Sequence, residues 1–155
     1  ARTSAAAFLR FLQLPTDHAA VVSFNEQGAV AASLTGDLTL LDAALGGLRT
    51  ATGTRIDRGL ASAGAELAAG RRSGALPVVI LLTDGLQNGD AAPVRSQAAA
   101  LKAAGTLVYA IGLGDKVDAA LLREVASSAD RFYPSPTVDD LAAIYAQISE
   151  RLRCE

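Results

Sequence analysis

Two short stretches hold the residues best suited to chemistry. In PVVILLTDGLQNGD (residues 77–90) an unbroken apolar run from Val78 to Leu82 meets Thr83, Asp84 and Gly85. A carboxylate in that place can cap a helix, shape a turn or bind something positive. Because it closes a buried run and opens a loop, the functional reading of Asp84 outweighs the other two. In ATGTRIDRGL (residues 51–60) Thr54 follows Gly53 and opens a helical pattern. Taken alone, that pair is a common helix start with threonine as the N-cap. Arg55, Asp57 and Arg58 fall in the first turns of that helix, and Gln87 and Asn88 follow Asp84. Arg55, Asp57, Gln87 and Asn88 are candidates for flanking contacts to a ligand. They read equally well as a solvated helix start and a polar loop.

Other chemistries find little support. His18 is the single histidine and stands at a strand start, with no serine and aspartate at a spacing that would make a hydrolytic triad. YAIGLGD holds a Gly-x-Gly but lacks the third glycine and the helix that a dinucleotide turn should open. Cys154 is the only cysteine, so no internal disulfide can form. Arg71 and Arg72 in GRRSG read as a solvated loop. The net charge of −2 offers no clustered basic surface for nucleic acid. No apolar run nears the roughly 18 residues of a membrane-spanning helix. The 155 residues, 50% hydrophobic, suit one compact domain with its own core. The start at ARTSAAAF, without methionine or signal peptide, makes a piece of a longer protein the expectation. The alanine-rich composition without Met or Trp suggests a GC-rich genome.

The elements that must position these residues follow from periodicity. Residues 3–14 carry Phe8, Leu9, Phe11 and Leu12 at helical spacing, ending at Pro15. Residues 18–25 and 28–34 read as a hairpin around a short turn. Short and long helices are expected over 37–48 and 55–70. Residues 76–84 are apolar on both faces, as in a central parallel strand covered by helices on each side. A helix over 93–105, a strand over 106–114, a helix over 118–129 capped by Asp118, and a short edge strand in RFYPSP follow. A last helix begins at Thr137, with Asp139 and Asp140 suiting its N-terminal dipole. Alternating strand and helix imply an open α/β sheet whose ligands sit beyond the carboxyl ends of the strands.

Taken together, SFN at a strand end, the TGT loop opening a helix, VVILLTDG, TLVYAIGLG, FYPSP and LAAIYAQI resemble the von Willebrand factor type A family, from the first helix to the last. The resemblance implies a Rossmann-like sheet, mostly parallel with one antiparallel edge hairpin strand and helices on both faces. It also implies a metal-ion-dependent adhesion site at the sheet's carboxyl edge, holding a divalent cation, usually magnesium. Thr54 matches the family's threonine ligand and Asp84 its aspartate. Oxygen ligands of these types suit a hard cation that keeps part of its water shell. The family's first strand and Asp-x-Ser-x-Ser loop precede the first helix and are not found here. Thr3 and Ser4 read as helix residues and not as substitutes. The expected sheet therefore has a gap between residues 18–25 and 76–84, to be filled by an upstream segment or by a second chain.

The function that the resemblance implies is a non-enzymatic, adhesion-type module. Its cation would bridge to a carboxylate of a partner protein, in an extracellular or cell-surface setting more than a cytoplasmic one. The alternative is an intracellular scaffold module acting with an ATPase in metal insertion or complex assembly. A third reading, phosphoryl chemistry with Asp84 on a metal, lacks a second acid or nucleophile in a supporting motif.

Overall fold

The computed structural model describes residues 2–49, 51–134, 137 and 140–153. Expectations for Pro136, Asp139 and Cys154 lie outside the described residues. The elements run α1 (Arg2–Leu9), β1 (Ala19–Phe24), β2 (Gly28–Thr35), α2 (Leu38–Gly47), α3 (Ile56–Ala69), β3 (Val78–Thr83), α4 (Ala92–Ala103), β4 (Leu107–Gly112), α5 (Ala119–Val125), β5 (Phe132–Tyr133) and α6 (Asp140–Leu152). A 3₁₀ turn, Ala129–Arg131, precedes β5. None of the described helices is long and apolar enough to cross a membrane.

Local chemistry explains most of the boundaries. Asp37 caps α2, accepting from the Thr39 amide at 2.8 Å, and Asp118 caps α5, accepting from the Leu121 amide at 2.9 Å. Thr137 and Asp140 exchange bonds at the start of α6: the Thr137 amide donates to Asp140 Oδ2 at 2.9 Å, and the Asp140 amide to Thr137 Oγ1 at 3.3 Å. Two helices stop earlier than their periodicity implies. After Leu9 the chain tightens, with Arg10, Phe11 and Leu12 amides donating to carbonyls three residues back, so α1 ends short of Pro15. At the end of α5, Ser127 is drawn into the sheet. Its amide donates to the Val108 carbonyl at 2.9 Å and its hydroxyl accepts from the Val108 amide at 2.8 Å.

The strands form two sheets among the described residues, an antiparallel pair β1–β2 and a parallel sheet in the order β3–β4–β5. Helices cover both faces. Ile56 and Leu60 of α3 pack with Val79, Leu81, Val94, Leu101, Val108 and Leu122 on one side. On the other, Leu141, Ile144 and Ile148 of α6 meet Tyr109 and Ile111, with Phe8 of α1 beside them. A third cluster joins Leu9, Val21, Leu41 and Leu45. Among the described residues β3 pairs with β4 and with no other strand. Burial agrees. β4 is buried from Val108 to Gly112, whereas Val78, Ile80 and Leu82 of β3 remain half-buried. Among the described residues β1 and β3 do not pair with each other.

Candidate functional site at the carboxyl edge

Both sheets end at one rim, and the loop carrying Thr54 lies between them. The Arg55 amide donates to the carbonyl of Asn25, just past β1, at 2.8 Å. The Asn88 amide, past β3, donates to the Thr54 carbonyl at 2.8 Å, and the Thr54 amide returns a bond to Asn88 Oδ1. Thr54 also lies against Gly85: a β-carbon placed there would stand 2.9 Å from Thr54 Oγ1. The sequence thus brings Thr54 beside the residue that follows Asp84, on the face where the strands end.

Neither structural duty foreseen for these two residues is theirs. The N-cap of α3 is Arg55, which makes no side-chain capping bond. The first turn is served from across the rim, where Gln87 Oε1 accepts from the Ile56 amide at 2.7 Å. That leaves the Thr54 hydroxyl out of capping. The turn after β3 is held by Thr83, whose hydroxyl accepts from the Gly85 amide at 3.3 Å. The start of α4 is served by Asp90, which accepts from the Ala92 amide at 2.9 Å. Asp84 is exposed, and its carboxylate takes no part in any of these bonds.

The four flanking residues form the support beneath. Asp57, 5% exposed, receives both arms of Arg55, Nε to Oδ1 at 2.9 Å and Nη2 to Oδ2 at 2.8 Å. Gln87 Nε2 donates to the same carboxylate at 2.8 Å. The Arg55 pairing, opposed by burial and aided by Gln87, holds the Asp57 carboxyl down at about 2. Gln87 and Asn88 therefore tie the post-β3 loop to α3, while the Arg55 guanidinium remains 27% exposed at the rim. Sequence reasoning missed Glu26. Its side chain lies over Gly53, whose φ of 92° and missing β-carbon allow the approach. The signal was a carboxylate in the hairpin turn directly after SFN. His18, by contrast, is exposed ahead of β1, and Thr3 and Ser4 lie within α1.

The donor set fits a hard cation in kind: among the described residues the Thr54 hydroxyl and the Asp84 carboxylate have no partner, and Gly85, against Thr54, carries no side chain. It is small in number, and among the described residues no group of three or more His, Cys, Asp or Glu side chains could hold a metal.

The fold is that of a known family. The model of the von Willebrand factor type A domain matches residues 3–147, and the chain belongs to this family. Among solved structures, proximal thread matrix protein 1 from the mussel byssus superposes with a TM-score of 0.84 at 22% identity, covering 97% of this chain and 39% of that one. The same protein has been solved with a zinc-occupied MIDAS motif, at 24% identity and TM-score 0.84, with the same 97% and 39% coverage. The von Willebrand factor type A domain of the type V pili tip protein Mfa5 from Porphyromonas gingivalis gives 0.84 at 16% identity, covering 99% of this chain and 87% of that one. The chain thus spans about two-fifths of the byssus protein's length. No curated protein matches it.

Proposed function

We propose that the chain is a metal-ion-dependent protein-binding module in which Thr54 and Asp84 hold a divalent cation, magnesium, at the rim. The observation that carries this reading is the release of both side chains from structural work. Thr83, Gln87 and Asp90 take over the turn and the caps, and among the described residues the Thr54 hydroxyl and the Asp84 carboxylate are left without a partner, in loops that meet at Gly85. A bound divalent cation supplies a positive centre with exchangeable positions, suited to a carboxylate of a partner protein. Asn88 and Gln87 fix the relative placement of the two loops, and Arg55 offers a positive flank. The role is binding, not catalysis, and it belongs to a single module spanning residues 1–155. The fold likeness to a byssus protein solved with a zinc-occupied MIDAS motif supports a divalent cation, and an extracellular or cell-surface setting is part of the proposal.

With two protein ligands, residues 1–155 bind magnesium weakly, because the ion dehydrates reluctantly. Manganese serves as the probe. Added to isotope-labelled chain, it is expected to broaden the amide signals of Thr54, Gly85 and Glu26 first. Asp84→Ala is expected to remove that broadening while leaving the melting temperature unchanged, since the exposed carboxylate holds nothing in place. Broadening centred elsewhere, or unfolding of the variant, would overturn the reading.

A further inference from the structure

We infer that the fold encloses one structural water beneath α6, bridging the hydroxyls of Tyr109 on β4 and Tyr133 on β5. The inference stands on the interior of the sheet and is independent of the metal.

The register brings the two rings together. Ala110 pairs with Phe132 and Ile111 with Tyr133 in the parallel ladder, so Tyr109 and Tyr133 are diagonal neighbours. Alternate residues of a strand face opposite sides, and the packing follows that rule. Val108, Ala110 and Phe132 join the α3 cluster, whereas Tyr109, Ile111 and Tyr133 join the α6 cluster. Leu141, Ile144 and Ile148 of α6 complete that second cluster.

Both hydroxyls are shut from solvent, and neither has a hydrogen-bond partner among the described residues. They do not bond to each other either. Tyr109 is 0% exposed, so its hydroxyl has no route to bulk water. Burial pushes the pKa of the Tyr133 hydroxyl up, and the group keeps its proton as a donor and an acceptor. A buried hydroxyl without a partner is costly. Two of them on one face of one cluster call for a shared guest.

The nature of the guest follows from its walls. Both oxygens are closed off, so no other stretch of polypeptide reaches them without opening the fold. An anion does not suit the place. Arg131, whose guanidinium carbon lies 5.5 Å from the centroid of the Tyr109 ring, and Arg151 both pair with Asp130. Arg131 also donates to Ser128 Oγ at 2.7 Å. The cations beside the hydroxyls therefore already have a counter-charge, and a buried anion would lack one. A water molecule is small and neutral, and it accepts from one hydroxyl while donating to the other. It ties the two-residue strand β5 to β4 under α6.

The test joins a crystal structure of the 155-residue chain to urea unfolding of Tyr109→Phe, Tyr133→Phe and the double variant. Density for a single oxygen is expected within about 3 Å of both hydroxyls, and it should be gone from the double variant. Each single change is expected to lower the urea midpoint by roughly 0.5 M, because the remaining hydroxyl loses its share of the bridge. The double change is expected to lower it no further than the larger single change, since both hydroxyls depend on one molecule. The inference fails if no density lies between the hydroxyls, or if a group larger than one oxygen does. It fails equally if both single variants match or exceed the parent in stability, because removing an unpartnered hydroxyl is harmless. Losses that simply add overturn it too, since they mean two separate partners.

Discussion

Thr54 and Gly85 touch across the rim, with Thr54 Oγ1 2.9 Å from the position that a β-carbon on residue 85 would take, so a side chain there requires the hydroxyl to move. Because the obstacle is a rotatable side chain, Gly85→Ala is expected to turn the Thr54 hydroxyl aside at a stability cost under about 1 kcal/mol. Manganese broadening at the rim should weaken several-fold while the denaturation midpoint hardly moves. A large drop in that midpoint would mean the glycine serves the fold instead.

Asp57 gives the rim a predictable acid response. Its folded-state pKa is depressed from 3.8 to about 2 by Arg55, with Gln87 assisting. The contribution is therefore fully present above the unfolded value and is lost as pH falls through the interval from about 4 to about 2. Linkage puts it at roughly 2 kcal/mol. Urea midpoints measured at pH 7, 4 and 2 check this, and Asp57→Asn should flatten that portion of the profile. The variant should also be less stable at pH 7, because Arg55 loses its buried partner.

Two glycines make opposite predictions. A β-carbon on Gly28 would run into the Arg58 carbonyl oxygen, which is backbone and cannot rotate away. Gly28→Ala should therefore cost about 2–3 kcal/mol by displacing β2 from α3. Gly46 lies in the last turn of α2 with open space around it. Gly46→Ala should raise stability by about 0.5–1 kcal/mol through helix propensity. Thermal melts of the two variants side by side settle both.

Ser127 supplies a further check on the sheet. Its hydroxyl accepts from the amide of Val108, a fully buried residue. Ser127→Ala leaves that N–H without its partner and should destabilise by about 1–3 kcal/mol. Valine at 127, equally unable to accept, should show the same loss.

The order of elements was legible because hydrophobic period and turn chemistry are local. The hairpin around Asn25–Gly28, the cap at Asp118 and the start at Thr137 all act within a few residues. The ends of α1 and α5 were not, since Ser127 leaves its helix for a bond to Val108, far away in sequence. The same holds at the site. Thr54 read as an N-cap by every local criterion, yet the cap comes from Gln87, 31 residues from the Ile56 amide it accepts from. The apolar character of VVILLT was legible too, but it reports burial on two faces, not the number of paired edges.

The apolar ribbon of β3 has a consequence for how long the 155-residue chain stays dispersed. Val78–Thr83 is a six-residue segment of high β-propensity with no charge, proline or glycine, the composition of self-stacking cross-β segments. In the folded chain α3 and α6 cover its two faces. Any loosening of either helix presents the whole ribbon. Concentrated stocks should then convert to fibrils after a lag that shortens with concentration, seeded by molecules that open transiently. A single lysine in place of Leu82 should lower the melting temperature, because Leu82 packs against the α6 cluster, yet suppress fibrils, because one charge per layer is enough to spoil the stack.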